Sequence, residues 1–239
     1  MALLEVENIS VTFGGVPALR NVSLTVAEHE AVAVLGANGA GKTTLLRAVM
    51  GRVALASGRI ILDGTAIEAL RTRLRVASGL SLCPEGRQVF PSMSVQDNLL
   101  LGAYLAPGAE AARRLDAIYE KLPVLRARRR ELAGSFSGGE QQLVAVGRAL
   151  MAKPRVLLMD EPSSGLSPVA IATIRNILRD VADSGTAILL VEQNVQLAVA
   201  LTERCYVLNR GVVDAAGSTA ELTQDPALAD TYLGGRATG

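Results

Sequence analysis

Apolar and polar positions alternate over the first part of the chain. Leu4, Val6 and Ile9 lead into Val11-Thr12-Phe13, and Leu24 and Val26 alternate with polar neighbours. This period of two predicts short strands across residues 3–34, with a turn at Gly14-Gly15. Ala31 to Leu35 is a continuous apolar run, the pattern of a strand buried on both faces of a parallel sheet. A Gly-rich loop follows, then a stretch of helical composition from Thr43 to Val49, and Arg59 to Gly64 reads as a hairpin element. From about residue 86 to 150 strand-like runs give way to helix-forming stretches, Val95 to Leu101, Ala109 to Leu122 and Glu140 to Met151. Strands resume at Arg155 to Met159 and Ala187 to Val191, on either side of a helix near Pro168 to Asp183. A short strand pair around Gly211 and a small terminal helix complete the pattern.

Composition narrows the class. Of 239 residues, 49% are hydrophobic and 20% charged, which excludes intrinsic disorder. Lysine and arginine number 24 and acidic residues 23, a net charge of +1, so a general nucleic-acid coat is not expected. Aromatic residues are 3% and Trp is absent, which argues against stacking platforms for single strands. The longest apolar stretches, Asn98 to Ala109 and Gln193 to Thr202, fall short of the roughly 18–20 residues of a membrane span. The opening residues enter strand alternation directly, with no basic leader. Cys83 and Cys205 cannot build a disulfide framework, so a reducing, cytosolic setting is expected.

The loop after the buried strand carries the first chemistry. Gly36-Ala37-Asn38-Gly39-Ala40-Gly41-Lys42-Thr43, followed by Thr44, fits the strand–loop–helix pattern that cradles a triphosphate. Its glycines let successive backbone N–H groups face phosphate oxygens, and the helix N-terminus adds its positive end. Lys42 is suited to the β- and γ-phosphates and the Thr43 hydroxyl to Mg²⁺. The strand Val156 to Met159 ends in Asp160 and Glu161. Asp160 is placed to hold the Mg²⁺ shell, and Glu161, one residue on, to accept a proton from attacking water.

Ser137-Gly138-Gly139-Glu140 opens a helix, with Ser137 as cap and Glu140 completing a capping box. Two glycines there cost helix stability unless backbone must approach a ligand closely. With the phosphate loop before it and Asp160-Glu161 after it, the whole chain resembles the nucleotide-binding subunit of an ATP-binding cassette (ABC) transporter. That resemblance implies an α/β fold: a P-loop NTPase core with a mainly parallel central sheet, an N-terminal antiparallel β subdomain and an α-helical insertion. Residues 1–239 would form one ABC ATPase domain, with 1–85 and 152–239 as the core and 86–151 as the helical part. It further implies ATP and Mg²⁺ as ligands and hydrolysis as the reaction. Ser137, Gly138 and Gly139 would contact ATP held by a second ABC ATPase subunit, in a homodimer or heterodimer. Phe136 stands where the family has Leu. Ser163 to Pro168 resembles the loop that crosses the dimer interface. Phe13 occupies the place of an adenine-stacking aromatic and would face the base, the alternative being a core position on its strand.

Two positions depart from the family. Glu85, after Leu82-Cys83-Pro84, stands where Gln is usual, and Gln193 stands where a switch His is usual. His29, the single histidine, lies in a turn before the phosphate-loop strand. Gln193 can still donate its amide N–H₂ to a γ-phosphate, and Glu85 can ligate Mg²⁺ or water. Pro84 to Pro91, Glu192-Gln193-Asn194 and the ending Asp225-Pro226…Tyr232-Leu233-Gly234 together resemble the smaller ATPase subunit of branched-chain amino-acid importers. Relatives serving urea or amide uptake, and ABC-type ATPases acting as scaffolds outside transport, remain open. The implied partners are integral membrane permease subunits and, indirectly, an extracytoplasmic solute-binding protein, with no nucleic acid. The implied location is the cytoplasmic face of the inner membrane. Residues 85–95, with Val89, Phe90, Pro91 and Met93, are the expected coupling surface, unless they anchor the helical insertion. The basic run Arg126 to Arg130 fits a solvated helical face or a membrane-facing contact.

Overall fold

The computed structural model describes residues 2–224. Two sheets face each other. The first has four antiparallel strands in the order β2-β1-β4-β5, from β1 (Ala2–Phe13), β2 (Val16–Ala27), β4 (Ser57–Leu62) and β5 (Thr65–Ala66). The second has six, in the order β10-β9-β3-β8-β7-β6. Its members are β3 (Ala31–Leu35), β6 (Leu80–Cys83), β7 (Val156–Asp160), β8 (Ala187–Glu192), β9 (Arg204–Asn209) and β10 (Val212–Ser218). Strands β9, β3, β8, β7 and β6 pair in parallel and β10 is an antiparallel edge. The fold is therefore the α/β P-loop NTPase architecture that the sequence implied. The expectation of short N-terminal strands needs correction: β1 and β2 are 12 residues each, joined through β-bulges that let one long ribbon curve over the core.

Alternation explains the layers. In β7, Val156 and Leu158 enter the core between the sheets, while Leu157 and Met159 enter the core on the other face. In β8, Leu189 and Val191 take the first side, Ile188 and Leu190 the second. Each such side chain contributes roughly 1.5–3 kcal/mol through burial. The first core also takes Leu45, Leu46, Ala48 and Val49 of α1 (Lys42–Val49). The second takes α3 (Val95–Leu101), α4 (Gly108–Lys121), α6 (Gly138–Leu150) and α7 (Pro168–Asp183). Four shorter helices complete the described chain: α2 (Thr72–Ala77), α5 (Pro123–Ala127), α8 (Val195–Leu201) and α9 (Thr219–Gln224).

Strand β6 and helices α2, α5 and α8 were not legible in the pattern, being only four to seven residues long. The α5 helix stops at Ala127, so Arg126 to Arg130 is not one helical face. Arg128 bonds Glu131 and Glu140 and lies 4.0 Å over the buried Phe136 ring. Arg75, 2% exposed, donates to the carbonyls of Ala48 and Val49 at 2.8 and 2.7 Å. It thereby fixes the C-terminal end of α1, where a cation opposes the helix dipole. The motif at 225–234 lies outside the described residues.

Candidate active site

The parallel strands end together, and the loops leaving them form a polar pocket of about 660 Å³. Asn38, Gly39, Gly41, Lys42, Thr43 and Thr44 supply one wall, and Glu85, Glu161, Ser164 and Gln193 supply another. The α1 helix opens directly onto it. Gly41 precedes the helix in the left-handed region (φ 109°), no side chain caps the first turn, and no acidic residue sits there. The free N–H groups and the positive helix end are thus open to an anion. A Cβ on Gly36 would meet the Leu208 carbonyl at 2.3 Å, so only glycine lets β3 turn into the loop at that point. Gly36 and Ala40 lie behind the wall. The Gly36 carbonyl accepts from Lys42 Nζ at 2.8 Å, and the Ala40 carbonyl accepts from the Gly211 N–H at 2.8 Å.

The polar groups form one hydrogen-bonded pair and one ion pair. Thr43 Oγ1 donates to Asp160 Oδ1 at 3.1 Å, at the buried end of β7. Burial pushes the Asp160 carboxyl up to about 6, with the charges of Glu85 and Glu161 adding to the shift against the Thr43 hydrogen bond. Lys42, 4% exposed, pairs with Glu161 Oε1 at 2.9 Å. Neighbours in sequence, Asp160 and Glu161 therefore serve different partners. Glu161 stands in the left-handed region (φ 45°), which turns the chain sharply as it leaves the strand. No cluster of three His, Cys, Asp or Glu side chains able to hold a metal occurs among the described residues. One carboxylate and one hydroxyl suit Mg²⁺ that shares its shell with phosphate oxygens and water.

Other expected residues lie elsewhere. Phe13 is 49% exposed at the end of β1 and is not a core residue; it also stands outside the pocket wall. Ser137 is exposed, and it caps α6 through the full capping box with Glu140. Ser137, Gly138 and Gly139 are all absent from the pocket wall. A Cβ at Gly138 would reach the Arg87 guanidinium at 2.9 Å and one at Gly139 the Ala170 side chain at 2.9 Å. His29 is an exposed turn residue. Cys83 is buried and its thiol is pushed up to about 12 by burial, which leaves it chemically inert.

Sequence reasoning missed three contributors. Pro17 and Ala18 of β2 line the pocket, as does Arg210 from the β9–β10 turn, and only the fold brings them near. It also missed the role of Glu192, a carboxylate within an otherwise apolar strand. A second cavity, of about 740 Å³ between α4 and the His29 turn, holds none of the phosphate-loop or strand-end groups.

Residues 19–164 match the ABC transporter family. The chain is 39% identical over 233 residues to the high-affinity branched-chain amino acid transport ATP-binding protein BraG of Pseudomonas aeruginosa, covering 98% of this chain and 100% of that one. It is 35% identical over 236 residues to the lipopolysaccharide export system ATP-binding protein LptB of Escherichia coli, covering 98% of each. Among solved structures, a nucleotide-free ATP-binding cassette from an ABC transporter superposes with a TM-score of 0.88 at 26% identity, over 96% of this chain and 98% of that one. An ATP-binding cassette in its ADP conformation superposes with a TM-score of 0.85 at 26% identity, with the same coverage. Likeness of this extent takes in both sheets and the helices between them, and with it the chain belongs to the ABC transporter family, as an ATP-binding subunit that hydrolyses ATP.

Proposed function

We propose that this ATPase energises uptake of branched-chain amino acids, peripheral to the cytoplasmic face of the inner membrane and docked on integral permease subunits. Identity of 39% to BraG from end to end, against 35% to LptB, is the observation that carries the solute assignment. Among the described residues no helix is long and apolar enough to cross a membrane, so transport requires partners that do. One structural relative is described as part of the complex cbiONQ. A solute-binding protein would deliver the amino acid to the permease and touch this chain only indirectly.

The chemistry assigned to the pocket follows from its groups. Triphosphate oxygens would lie against the loop N–H groups at Asn38, Gly39 and Gly41 and the start of α1, with Lys42 moving from Glu161 to the β- and γ-phosphates. Thr43 and Asp160, with Glu85 nearby, would hold Mg²⁺, which supplies charge neutralisation at the phosphates. Glu161, released by Lys42, takes the proton of a water whose oxygen bonds to the γ-phosphorus as the bond to the ADP oxygen breaks. Gln193 donates its amide to the γ-phosphate, and Phe13, exposed at the end of β1, is the aromatic assigned to the base. Ser137, Gly138 and Gly139 lie outside the pocket wall of their own chain, which supports a dimer in which they complete the partner's site.

The test is co-expression with candidate permease subunits, followed by purification in detergent and uptake of radiolabelled leucine. Co-purification with ATP-dependent leucine uptake supports the reading. A complex that leaves leucine untransported and moves lipopolysaccharide instead supports the LptB-like alternative.

A further inference from the structure

Glu192 ends β8 and is 1% exposed. The five residues ahead of it, Ala187 to Val191, are all buried and apolar. A sixth apolar residue would continue the strand without desolvating a carboxylate, which is costly unless its oxygens are fully bonded. Here they are. Oε1 accepts from the Ser163 N–H at 2.9 Å, and Oε2 accepts from the N–H groups of Gln193 and Asn194, both at 3.0 Å. The three donors belong to two loops. Ser163 follows Glu161 beyond β7, and Gln193 begins the loop beyond β8. Glu161 is itself tied across, its N–H donating to the Val191 carbonyl at 2.9 Å. Two of the side chains on the pocket wall, Glu161 and Gln193, therefore hang from loops joined through one buried carboxylate.

We propose that Glu192 is a positioning residue for ATP hydrolysis. Its carboxylate locks the Gln193 loop against the Glu161–Ser163 loop, so that amide and carboxylate meet the γ-phosphate and the attacking water in a single arrangement. Neither oxygen faces the pocket, so Glu192 acts through Gln193 and Glu161 and touches no substrate. This rests on the roles given above to those two residues.

The experiment uses the full chain and measures kcat and KM for ATP, nucleotide affinity and Tm in Glu192→Gln, Gln193→Ala and the double variant. A Gln at 192 keeps the shape but offers one acceptor oxygen, and its N–H₂ opposes a backbone N–H. Glu192→Gln is expected to lower kcat about tenfold while KM and affinity stay within about twofold. The double variant should lose less than the product of the two single losses, because the part of the Glu192 effect that runs through Gln193 is already gone in Gln193→Ala. Glu192→Asp retains the charge but not the reach to both loops, and should resemble Glu192→Gln; it also decides the matter by the same criteria if the Gln variant does not fold. Wild-type kcat in these variants, or losses that multiply in the double variant, would overturn the proposal. Wild-type turnover in Gln193→Ala would instead remove Gln193 from the chemistry, and the inference with it.

Discussion

Lys42 Nζ and Glu161 Oε1 stand 2.9 Å apart, the ammonium almost fully buried and the carboxylate largely so. The cation suited to the triphosphate and the carboxylate suited to its hydrolysis neutralise each other in this arrangement. On the roles proposed above, nucleotide binding would exchange this ion pair for contacts to phosphate and free the carboxylate. Glu161→Gln removes both the base and the competitor for Lys42. Hydrolysis should fall by about 10²–10⁴-fold, the range of a general base. Nucleotide affinity should be equal or tighter, and ATP should hold a stable dimer, visible by size-exclusion chromatography. Turnover within a few-fold of wild type would show that another group takes the proton.

Lys42→Ala acts on the other half of the pair. The loop N–H groups remain, but the directed charge is lost and Glu161 is left without its cation beside the incoming phosphates. ATP binding measured by calorimetry should weaken by at least about tenfold, 1.4 kcal/mol. An unchanged Kd would mean that the triphosphate lies elsewhere.

Gln193→Ala should lower kcat more than affinity, by about tenfold, since a γ-phosphate contact counts most as charge redistributes in the transition state. Gln193→His restores a donor at the same place and should retain activity. Equal kcat in wild type and the Ala variant would assign γ-phosphate sensing to another residue.

Glu30 tests the scaffold. Its carboxylate accepts from Arg204 Nε and Nη2, both at 2.9 Å, and from the Ala27 N–H at 2.7 Å, joining the end of β2 to β9. Burial pushes this carboxyl up, but Arg204 and the Ala27 N–H outweigh it and hold the group below the ordinary carboxylate range. A carboxyl lowered in the folded state stabilises above its unfolded value, and the contribution disappears as pH falls through the folded one. Solvent screening of this partly exposed pair keeps its worth to about 1 kcal/mol or less. Glu30→Gln should therefore lower Tm by about 2–4 °C near neutral pH and by much less near pH 3, in thermal melts. An equal deficit at both pH values would assign the loss to packing.

Much of this site was legible before the fold, because its spacing is local. The loop from Gly36 to Thr43 and the Asp160-Glu161 strand end each sit within a few residues, and chain order alone places them where parallel strands terminate. The contributions of Pro17, Ala18 and Arg210 were not legible, since they reach the pocket from the other sheet and an edge turn. Glu192 left a trace, one acidic residue closing an apolar run, but its three donors lie on two loops that only tertiary packing unites. Strand β6 escaped because four residues ending at a proline carry no measurable period.

Coupling to a membrane partner makes the last prediction. The chain after Glu85 turns through left-handed backbone at Arg87 and Gln88 (φ 64° and 44°) and presents Phe90 at 50% exposure. The loop is anchored without that ring. The buried Asn98 accepts from the Phe90 N–H at 2.9 Å and donates to its carbonyl at 3.0 Å, while Val89 packs against the helical core. Arg148 donates to the Gln88 carbonyl at 2.8 Å and holds its guanidinium 5.6 Å from the ring centre, so one face of Phe90 is supported and the other is open. An aromatic displayed in this way fits a pocket or helix of a permease subunit. Arg87 is a poorer probe: its guanidinium lies against Gly138 and donates to the Gly165 carbonyl at 3.3 Å, so its replacement also disturbs contacts within the chain itself. Phe90→Ala should leave Tm within about 2 °C and ATP affinity within about twofold, because little buried area is lost. Assembly with the permease subunits and solute uptake should fall by about tenfold or more, the size of an interface anchor. A Phe90→Ala chain that co-purifies with the permease and transports normally would place the docking surface elsewhere, and a drop of many degrees in Tm would make Phe90 an internal anchor instead.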